Sequence, residues 1–574
     1  MILRLLLLMS AGAMLAACGG ETAREQQRDG SGGRRYGGTY TMNVLRGSPN
    51  GLDPVLINSK HADDIATQIY DKLIDLDAEL KLVPELARAL PEISEDGRTY
   101  RFTLRNDVRF HDNACFPDGK GRRVTARDMK YSLERCCDPR TKTVAFWAFQ
   151  DKVKGATEYH RAITNGQPTE GIEGFRALDD TTFEIELIEP YAPFIYYLVN
   201  SLGSAVPREG VEKYGADFFR NPVGSGAFVF ESWSQDQEIV LRRNPSYWGK
   251  DDQGNQLPFL ENIRFLFIRD DKTQLNEFLA GNLDESFNLP TERFDDFFDA
   301  TTGKAKPEFS QYELQAVPAM LTWFCDFLTT RAPFDKADVR RAFNHAIDRE
   351  KIVRFVLKGS PYAPATHGIV PPVFEGYPVD SIEGYTFNPT LAREMLARAG
   401  YPGGRGFPAV QMHIYPEPRL QQVAEAIQEM LQQNLGVAIE LQTIEFPQLL
   451  AQAENGKLLL WGTRWYGDYP DPETFLNLFN GTLIPTSDTM PSYPNSTRYN
   501  SAAFNEPFLK GVGTIDFAAR MLLYMKAERA MMADAPFMPL FYERHFRLLQ
   551  PWVRNVSLDA MARYDLKHAW LERE

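Results

Sequence analysis

The 574-residue sequence predicts an α+β N-terminal half followed by an α/β C-terminal half. Three observations carry that reading. Short alternating β-runs bounded by turn residues dominate the chain up to about residue 312, as in antiparallel sheets. From about Glu313 strands and helices alternate one for one, the signature of parallel β-α-β units. The chain is also too long for one hydrophobic core, which points to roughly three or four folding units.

Taken in order, residues 1–18 read as a targeting segment rather than as fold. Arg4 supplies the positive region, Leu5 to Leu8 and Ala11 to Ala16 the apolar region, and LAAC (Leu15 to Cys18) the small-residue cleavage site. LAAC resembles a bacterial lipoprotein box, which implies that Cys18 becomes the lipidated first residue of the mature chain. The alternative is an ordinary secretory signal. Residues 19–35, GGETAREQQRDGSGGRR, read as a flexible tether. No other run reaches membrane-spanning length, so the folded part is expected to be soluble and held at a surface by the anchor.

TYTMNV (Thr39 to Val44) alternates like a half-buried strand, and HADDIATQIYDKL then sets Ile65, Ile69 and Leu73 on one helical face. TYRFTL (Thr99 to Leu104) alternates again. Thr125 stands three residues before Asp128, a capping-box start for a helix carrying Met129, Leu133 and Cys136 or Cys137. Short β-runs follow at Thr182 to Ile188, Ala227 to Trp233, Glu238 to Arg243 and Asn262 to Ile268. In the second half a helical stretch covers Val339 to Leu357, and Asn388 with Pro389 form an N-cap and first-turn pair for a helix that Gly400 ends. Strand Val410 to Tyr415, helix Leu420 to Leu435 stopped by Gly436, strand Val437 to Thr443, helix Phe446 to Glu454 and strand LLLWG (Leu458 to Gly462) complete the parallel series.

Composition excludes several classes. Apolar content of 43% and charged content of 24% are ordinary for a folded protein. The net charge of -14, with basic residues scattered, argues against a nucleic-acid partner. The sequence has no G-x-S-x-G, H-E-x-x-H, phosphate-loop or G-x-G-x-x-G motif, and its eight histidines show no ligand spacing. No catalytic residue, metal or cofactor is expected; a secreted hydrolase is the remote alternative. Cysteines 115, 136, 137 and 325 remain after Cys18. In an exported protein a bridge from Cys115 to Cys136 or Cys137 is one expectation, and buried free thiols are the other.

The candidate site is TRWYGDYPDPETFLNLF (Thr463 to Phe479), directly after LLLWG. In open parallel sheets ligands settle beyond the carboxyl ends of strands, and Thr463 to Pro470 is expected to begin where this strand stops. Asp471 and Pro472 suit the N-cap and first position of the next helix. That leaves Asp468, among Trp465, Tyr466 and Tyr469, without a structural task.

The same stretch belongs to a series that resembles the bacterial extracellular solute-binding proteins of family 5, the peptide-binding type serving ABC importers. The series comprises LDP (Leu52 to Pro54), LVPELA (Leu82 to Ala87), EDGRTYRFTLRNDVRFHD (Glu95 to Asp112), TARDMKYSLER (Thr125 to Arg135), NPVGSGAF (Asn221 to Phe228) and RRNPSYW (Arg242 to Trp248). It continues with AGNLD (Ala280 to Asp284), RAFNHAIDREKI (Arg341 to Ile352), WYGDYPDPETFLNLF and MPLFYERHFRLLQPWV (Met538 to Val553), covering nearly all of the chain after the tether. The resemblance implies a two-lobed periplasmic-binding-protein fold (type II-like, cluster C) with an extra subdomain and a ligand cleft between the lobes. Lobe I would use 36–75, 205–312 and 536–574, the accessory subdomain 76–204, and lobe II 313–535.

Further implications concern the site. Asp468 would pair with the α-amino group of a peptide ligand, Trp465, Tyr466 and Gly467 would supply backbone and flat wall, and Tyr542 would close the cleft from below. Lobe closure would then present the ligand to ABC transporter permease subunits, with the protein a monomer in a periplasmic or cell-surface location. Two features depart from the family pattern: NACFPDGKGRR (Asn113 to Arg123) replaces a short turn, and Tyr466 replaces a half-cystine, so a cleft disulfide is absent. A nickel chelate, haem or oligosaccharide cargo and a peptide-sensing receptor are the alternatives within the family.

Overall fold

A computed structural model describes residues 27–573 except 45, 46, 291, 292, 299–304 and 488. Cys18 and the expected targeting segment lie outside the described residues. The expected tether does not stay loose over its described part. Arg28–Asp29 pairs antiparallel with Arg35–Tyr36, Ser31 N–H donates to Asn255 Oδ1 at 2.7 Å, and Arg34 forms ion pairs with Asp251 and Asp252, each at 2.8 Å. Those fixed partners are why residues 27–35 pack on the fold rather than tether it.

Strand β1 (Thr39–Asn43) buries Tyr40 and Met42, and helix α1 (Lys60–Ile69) starts on Ser59, whose hydroxyl accepts the Ala62 N–H. Ile65 and Ile69 face the core as expected; Leu73 lies past the helix end, where its N–H donates to the Gly203 carbonyl at 2.9 Å. Next come β2 (Glu92–Ile93), β3 (Thr99–Thr103), β4 (Phe175–Ala177) and β5 (Thr182–Glu186), an antiparallel sheet in the order β2-β3-β5-β4. Helix α2 (Ala126–Cys137) packs against it and begins with the expected Thr125/Asp128 capping box. Then β6 (Phe228–Ser234), β7 (Glu238–Arg243) and β8 (Asn262–Leu266) form an antiparallel meander, and β8 pairs in parallel with β1.

The second half is built on one seven-stranded sheet. Its members are β9 (Glu285–Phe287), β10 (Glu313–Phe327), β11 (Val410–Ile414), β12 (Ile439–Thr443), β13 (Leu460–Tyr466) and β14 (Phe537–Leu549), in the order β9-β14-β10-β13-β11-β12, with Ala363–Pro364 added beside β14. β11 is parallel to both β12 and β13, as the alternating pattern predicts. Helices α3 (Ala337–Ala346), α4 (Pro389–Arg398), α5 (Pro418–Leu435), α6 (Phe446–Glu454) and α7 (Phe517–Asp534) complete the set used below. The Asn388 side chain caps α4, and Gly436, at φ 69°, closes α5 in the left-handed conformation that favours glycine.

The fold is two-lobed, and the long antiparallel pair β10/β14 joins the lobes. At one end Glu313 faces Leu549, which also faces Glu285 of β9; at the other Asp326 faces Phe537. Along β10 the period of two divides the cores: Leu321, Trp323, Cys325 and Phe327 enter the cluster that includes α3 and α5, while Met320 and Phe324 enter the other. Where β14 returns to the first lobe, Arg547 and Glu285, both essentially without exposure, form an ion pair at 3.4 Å, and Tyr40 and Tyr564 donate to the same carboxylate.

The expected disulfide is not formed. Cys115, Cys136, Cys137 and Cys325 are all free thiols. The physical reason is placement: Cys136 and Cys137 are both buried in the α2 core contact, whereas Cys115 sits half-buried in a surface turn, its N–H donating to Asn113 Oδ1. Burial pushes the Cys136 thiol up to about 12, so it stays protonated and unreactive.

Candidate ligand cleft

β13 runs four residues further than LLLWG predicts. Thr463, Arg464, Trp465 and Tyr466 pair with Phe324, Trp323, Thr322 and Leu321 of β10, so the two predicted wall aromatics are strand residues rather than loop residues. The strand stops where β10 breaks register with β14, between Pro318 and Thr322. There the Met320 carbonyl accepts the Gly467 N–H at 2.8 Å, and the Met320 N–H donates to the Ala560 carbonyl at 2.7 Å. A Cβ on residue 467 would lie 2.6 Å from Met320 Cγ and Sδ, so close approach requires glycine at this position. Gly467 therefore shapes the turn.

Beyond that turn the Asp468 N–H donates to Thr474 Oγ1 at 3.2 Å, and the Trp465 indole N–H reaches the same oxygen at 3.3 Å. Among the described residues no group donates a hydrogen bond to the Asp468 carboxylate and none forms an ion pair with it. The side chain opens onto a cleft of about 2550 Å³ that residues of both lobes line, including Trp465, Tyr466 and Gly467. The residue is exposed at the cleft surface, yet the surrounding protein crowds its carboxylate. That desolvation pushes its pKa up to about 6. Tyr197 and Tyr493, which also line the cleft, lie close enough to feel its charge.

The neighbouring acids are built differently. Asp471 is fully buried, accepts the Glu473 N–H at 3.0 Å, and pairs with Arg520 at 3.1 Å. The helical turn spans Glu473–Leu476, one residue later than expected, so Pro472 rather than Asp471 takes the N-cap position, although the Asp471 side chain still holds the first N–H of the turn. Glu473 is 1% exposed and accepts from the hydroxyls of Tyr469 and Tyr191, the latter at 2.9 Å. Burial pushes Glu473 up to about 7.

Tyr466 stacks on His545 and its hydroxyl meets His545 Nε2 at 2.6 Å. Burial drives His545 down to about 3, so this pair is a neutral wall at physiological pH. Tyr542 is a correction. It is buried and does not line the cleft; its hydroxyl donates to the Gly368 carbonyl at 3.0 Å and accepts the Gly368 N–H at 3.2 Å. The four residues that follow it, Glu543, Arg544, His545 and Phe546, line the cavity instead. Sequence reasoning also missed Arg464, Arg419 and Trp323 on the same wall. One signal was present: Arg464 directly precedes the Trp465 to Asp468 stretch already singled out, and the cleft is lined by that whole run.

Among the described residues no group of three His, Cys, Asp or Glu side chains is placed to hold a metal ion, and no helix is long and apolar enough to cross a membrane. An unpartnered carboxylate just past the end of a strand, in a large cleft between two lobes, is chemically able to accept a cation.

Comparison with known proteins agrees with that architecture. The chain is 28% identical over 511 residues to the periplasmic oligopeptide-binding protein OppA of Escherichia coli (strain K12), covering 88% of this chain and 87% of that protein. It is 27% identical over 498 residues to the glutathione-binding protein GsiB of Salmonella typhimurium, covering 86% and 87%. A crystal structure of a periplasmic oligopeptide-binding protein (OppAIV) from Borrelia burgdorferi superposes with a TM-score of 0.71 at 26% identity, over 93% of this chain and 100% of that one. Residues 81–484 match the model of the bacterial extracellular solute-binding proteins, family 5 middle region, and the chain belongs to that family.

Proposed function

We propose that the protein captures peptides outside the cytoplasm by their α-ammonium group at Asp468 and delivers them to the permease of an ABC transporter, without any catalytic step. The observation that carries this reading is the lone Asp468 carboxylate facing the cleft. A ligand ammonium there makes charge-assisted hydrogen bonds, on the order of twice the strength of neutral ones. Relatives named for oligopeptide and glutathione binding support the same class of solute. Contacts to both lobes are available only when the lobes meet, so ligand shifts a hinge equilibrium about β10 and β14 toward closure. In this reading Cys18 carries the lipid anchor, and the lobes divide at 76, 205, 313 and 536.

The test is calorimetric titration of the wild type and Asp468→Ala with short peptides. Removing the carboxylate is expected to cost roughly 3–5 kcal/mol of binding, by leaving the ligand charge unpaired, while the melting temperature of the empty protein stays within a degree or two or rises slightly. Unchanged peptide affinity in the variant overturns the role of Asp468. Native mass spectrometry of the purified protein checks the cargo class, because retained ligand of non-peptide mass contradicts the reading.

A further inference from the structure

Residues 76–204, the accessory subdomain of the division above, meet lobe II at a place where no strand crosses. Tyr191 opens the run YAPFIYYLV, whose 3-10 segment Ala192–Val199 is buried throughout, so its tyrosines are held in place by the subdomain core. The Tyr191 hydroxyl donates to Glu473 Oε1 of lobe II at 2.9 Å and meets the Tyr197 hydroxyl at 3.0 Å. Tyr469 of lobe II donates to the same carboxylate, and its ring lies between those of the subdomain: Tyr196 parallel to it at 6.4 Å and Tyr197 edge-on at 5.2 Å. Two further links join the same parts of the chain. A Cβ at Gly97 would lie 3.1 Å from Ile515 Cγ1, and Lys81 Nζ pairs with Glu375 at 3.6 Å.

Chain continuity does not impose this contact, because the subdomain is attached to lobe I and the lobes are joined through β10 and β14. Any opening about those strands has to withdraw Tyr191 from Glu473. The carboxylate is 1% exposed, and a buried carboxylate that loses a donor without gaining water is destabilised. The contact also shares its turn with the proposed ligand site. Asp468 directly precedes Tyr469, and its N–H donates to Thr474, the neighbour of Glu473.

We propose that Tyr191 and Tyr197 form a latch on Glu473 that holds the accessory subdomain against lobe II before any solute arrives, so that the latch as well as the solute sets how far the protein is closed. This rests on the lobe division proposed above and goes beyond capture at Asp468. Breaking the latch lowers the closed fraction of the empty protein, and the affinity for a solute falls by the same factor, whatever its side chains.

The experiment is carbodiimide cross-linking of the unloaded full chain, with the Lys81–Glu375 amide measured by mass spectrometry, beside calorimetry with trialanine. That ion pair is 61% and 81% exposed at its side chains, so it adds little holding force but reports the contact. The wild type is expected to form the amide without solute. In Tyr191→Phe, which removes only a hydroxyl, the initial rate of cross-linking and the affinity for trialanine are expected to fall by one common factor of about three to ten, and saturating trialanine is expected to restore the rate. Tyr197→Phe is expected to act in the same direction and serves if Tyr191→Phe does not fold. Absence of the amide in the unloaded wild type, or a rate that a folded variant leaves unchanged, overturns the latch. A loss of affinity at an unchanged rate makes Tyr191 a solute contact instead and overturns it as well. If trialanine fails to bind the wild type, the peptide reading of Asp468 falls, while the rates of the unloaded proteins still decide the latch.

Discussion

Asp468 and the pair Asp471 and Glu473 lie within six residues of one another, yet the fold treats them in opposite ways. Asp471 and Glu473 are removed from water and given partners: Arg520 and a backbone N–H for the first, two tyrosine hydroxyls for the second. Asp468 keeps access to the cleft and is given none. The difference teaches what separates an acid that maintains a structure from one the fold leaves available, as the proposed ligand site requires. Desolvation raises the pKa of all three, but Asp468 alone stays exposed. Exposure and partnering together set it apart.

The comparison breaks most severely at Asp471. Asp471→Asn leaves the Arg520 guanidinium, 5% exposed at its side chain, without its countercharge. Losing one partner of a buried pair costs about 3–5 kcal/mol, so urea unfolding is expected to show a loss of that size. Affinity of the folded fraction for a peptide stays within about two-fold. Asp468→Asn is expected to show the reverse, full stability and lost binding. If Asp471→Asn is tolerated, the division between the two kinds of acid fails.

A milder test uses Tyr542, which the sequence places at the cleft and the fold places in the core. Its hydroxyl satisfies both backbone groups of the buried Gly368. Tyr542→Phe leaves those groups unpaired, at a cost of about 1–3 kcal/mol in thermal or urea unfolding. Peptide affinity is expected to be unchanged. A selective loss of affinity with normal stability would return Tyr542 to the ligand.

Much of this was legible in the sequence. The Thr125/Asp128 capping box, the Asn388 cap and the β11-α5-β12-α6-β13 alternation follow from local chemistry, and local chemistry decided them. Asp468 was singled out by elimination, once Asp471 had been given a capping role, and the structure leaves its carboxylate without a partner among the described residues. The end of β13 was not legible, because its last four residues owe their conformation to β10, more than a hundred residues earlier. Tyr542 misled for a related reason: Ala363 and Gly368, distant in sequence, cover it, and the crossing strand meets the cavity only from Glu543 onward. Arg464 was hidden because an arginine in a strand reads as solvated until its Trp323 partner is known.

The subtlest separation between the two kinds of acid is in pH. Desolvation holds Asp468 protonated up to about pH 6, against about 4 in the unfolded chain. The sign follows: between those values the empty folded protein binds a proton that the unfolded chain has released, so Asp468 lowers the stability of the empty protein as pH rises from about 4 to about 6. A ligand ammonium needs the ionised form, so affinity is expected to be flat from about pH 7 to 8 and to fall toward ten-fold per unit below about pH 6. Near pH 6 binding releases a proton, which calorimetry detects as a heat that varies with the ionisation enthalpy of the buffer. Glu473 also titrates close to pH 7 and lines the same cleft, so the assignment requires a control. Glu473→Gln should retain the fall in affinity below pH 6, and the residual binding of Asp468→Asn should be insensitive to pH over the same range. A pH profile that follows Glu473 instead would show that closure of the tyrosine-lined contact, rather than capture at the strand end, sets the affinity.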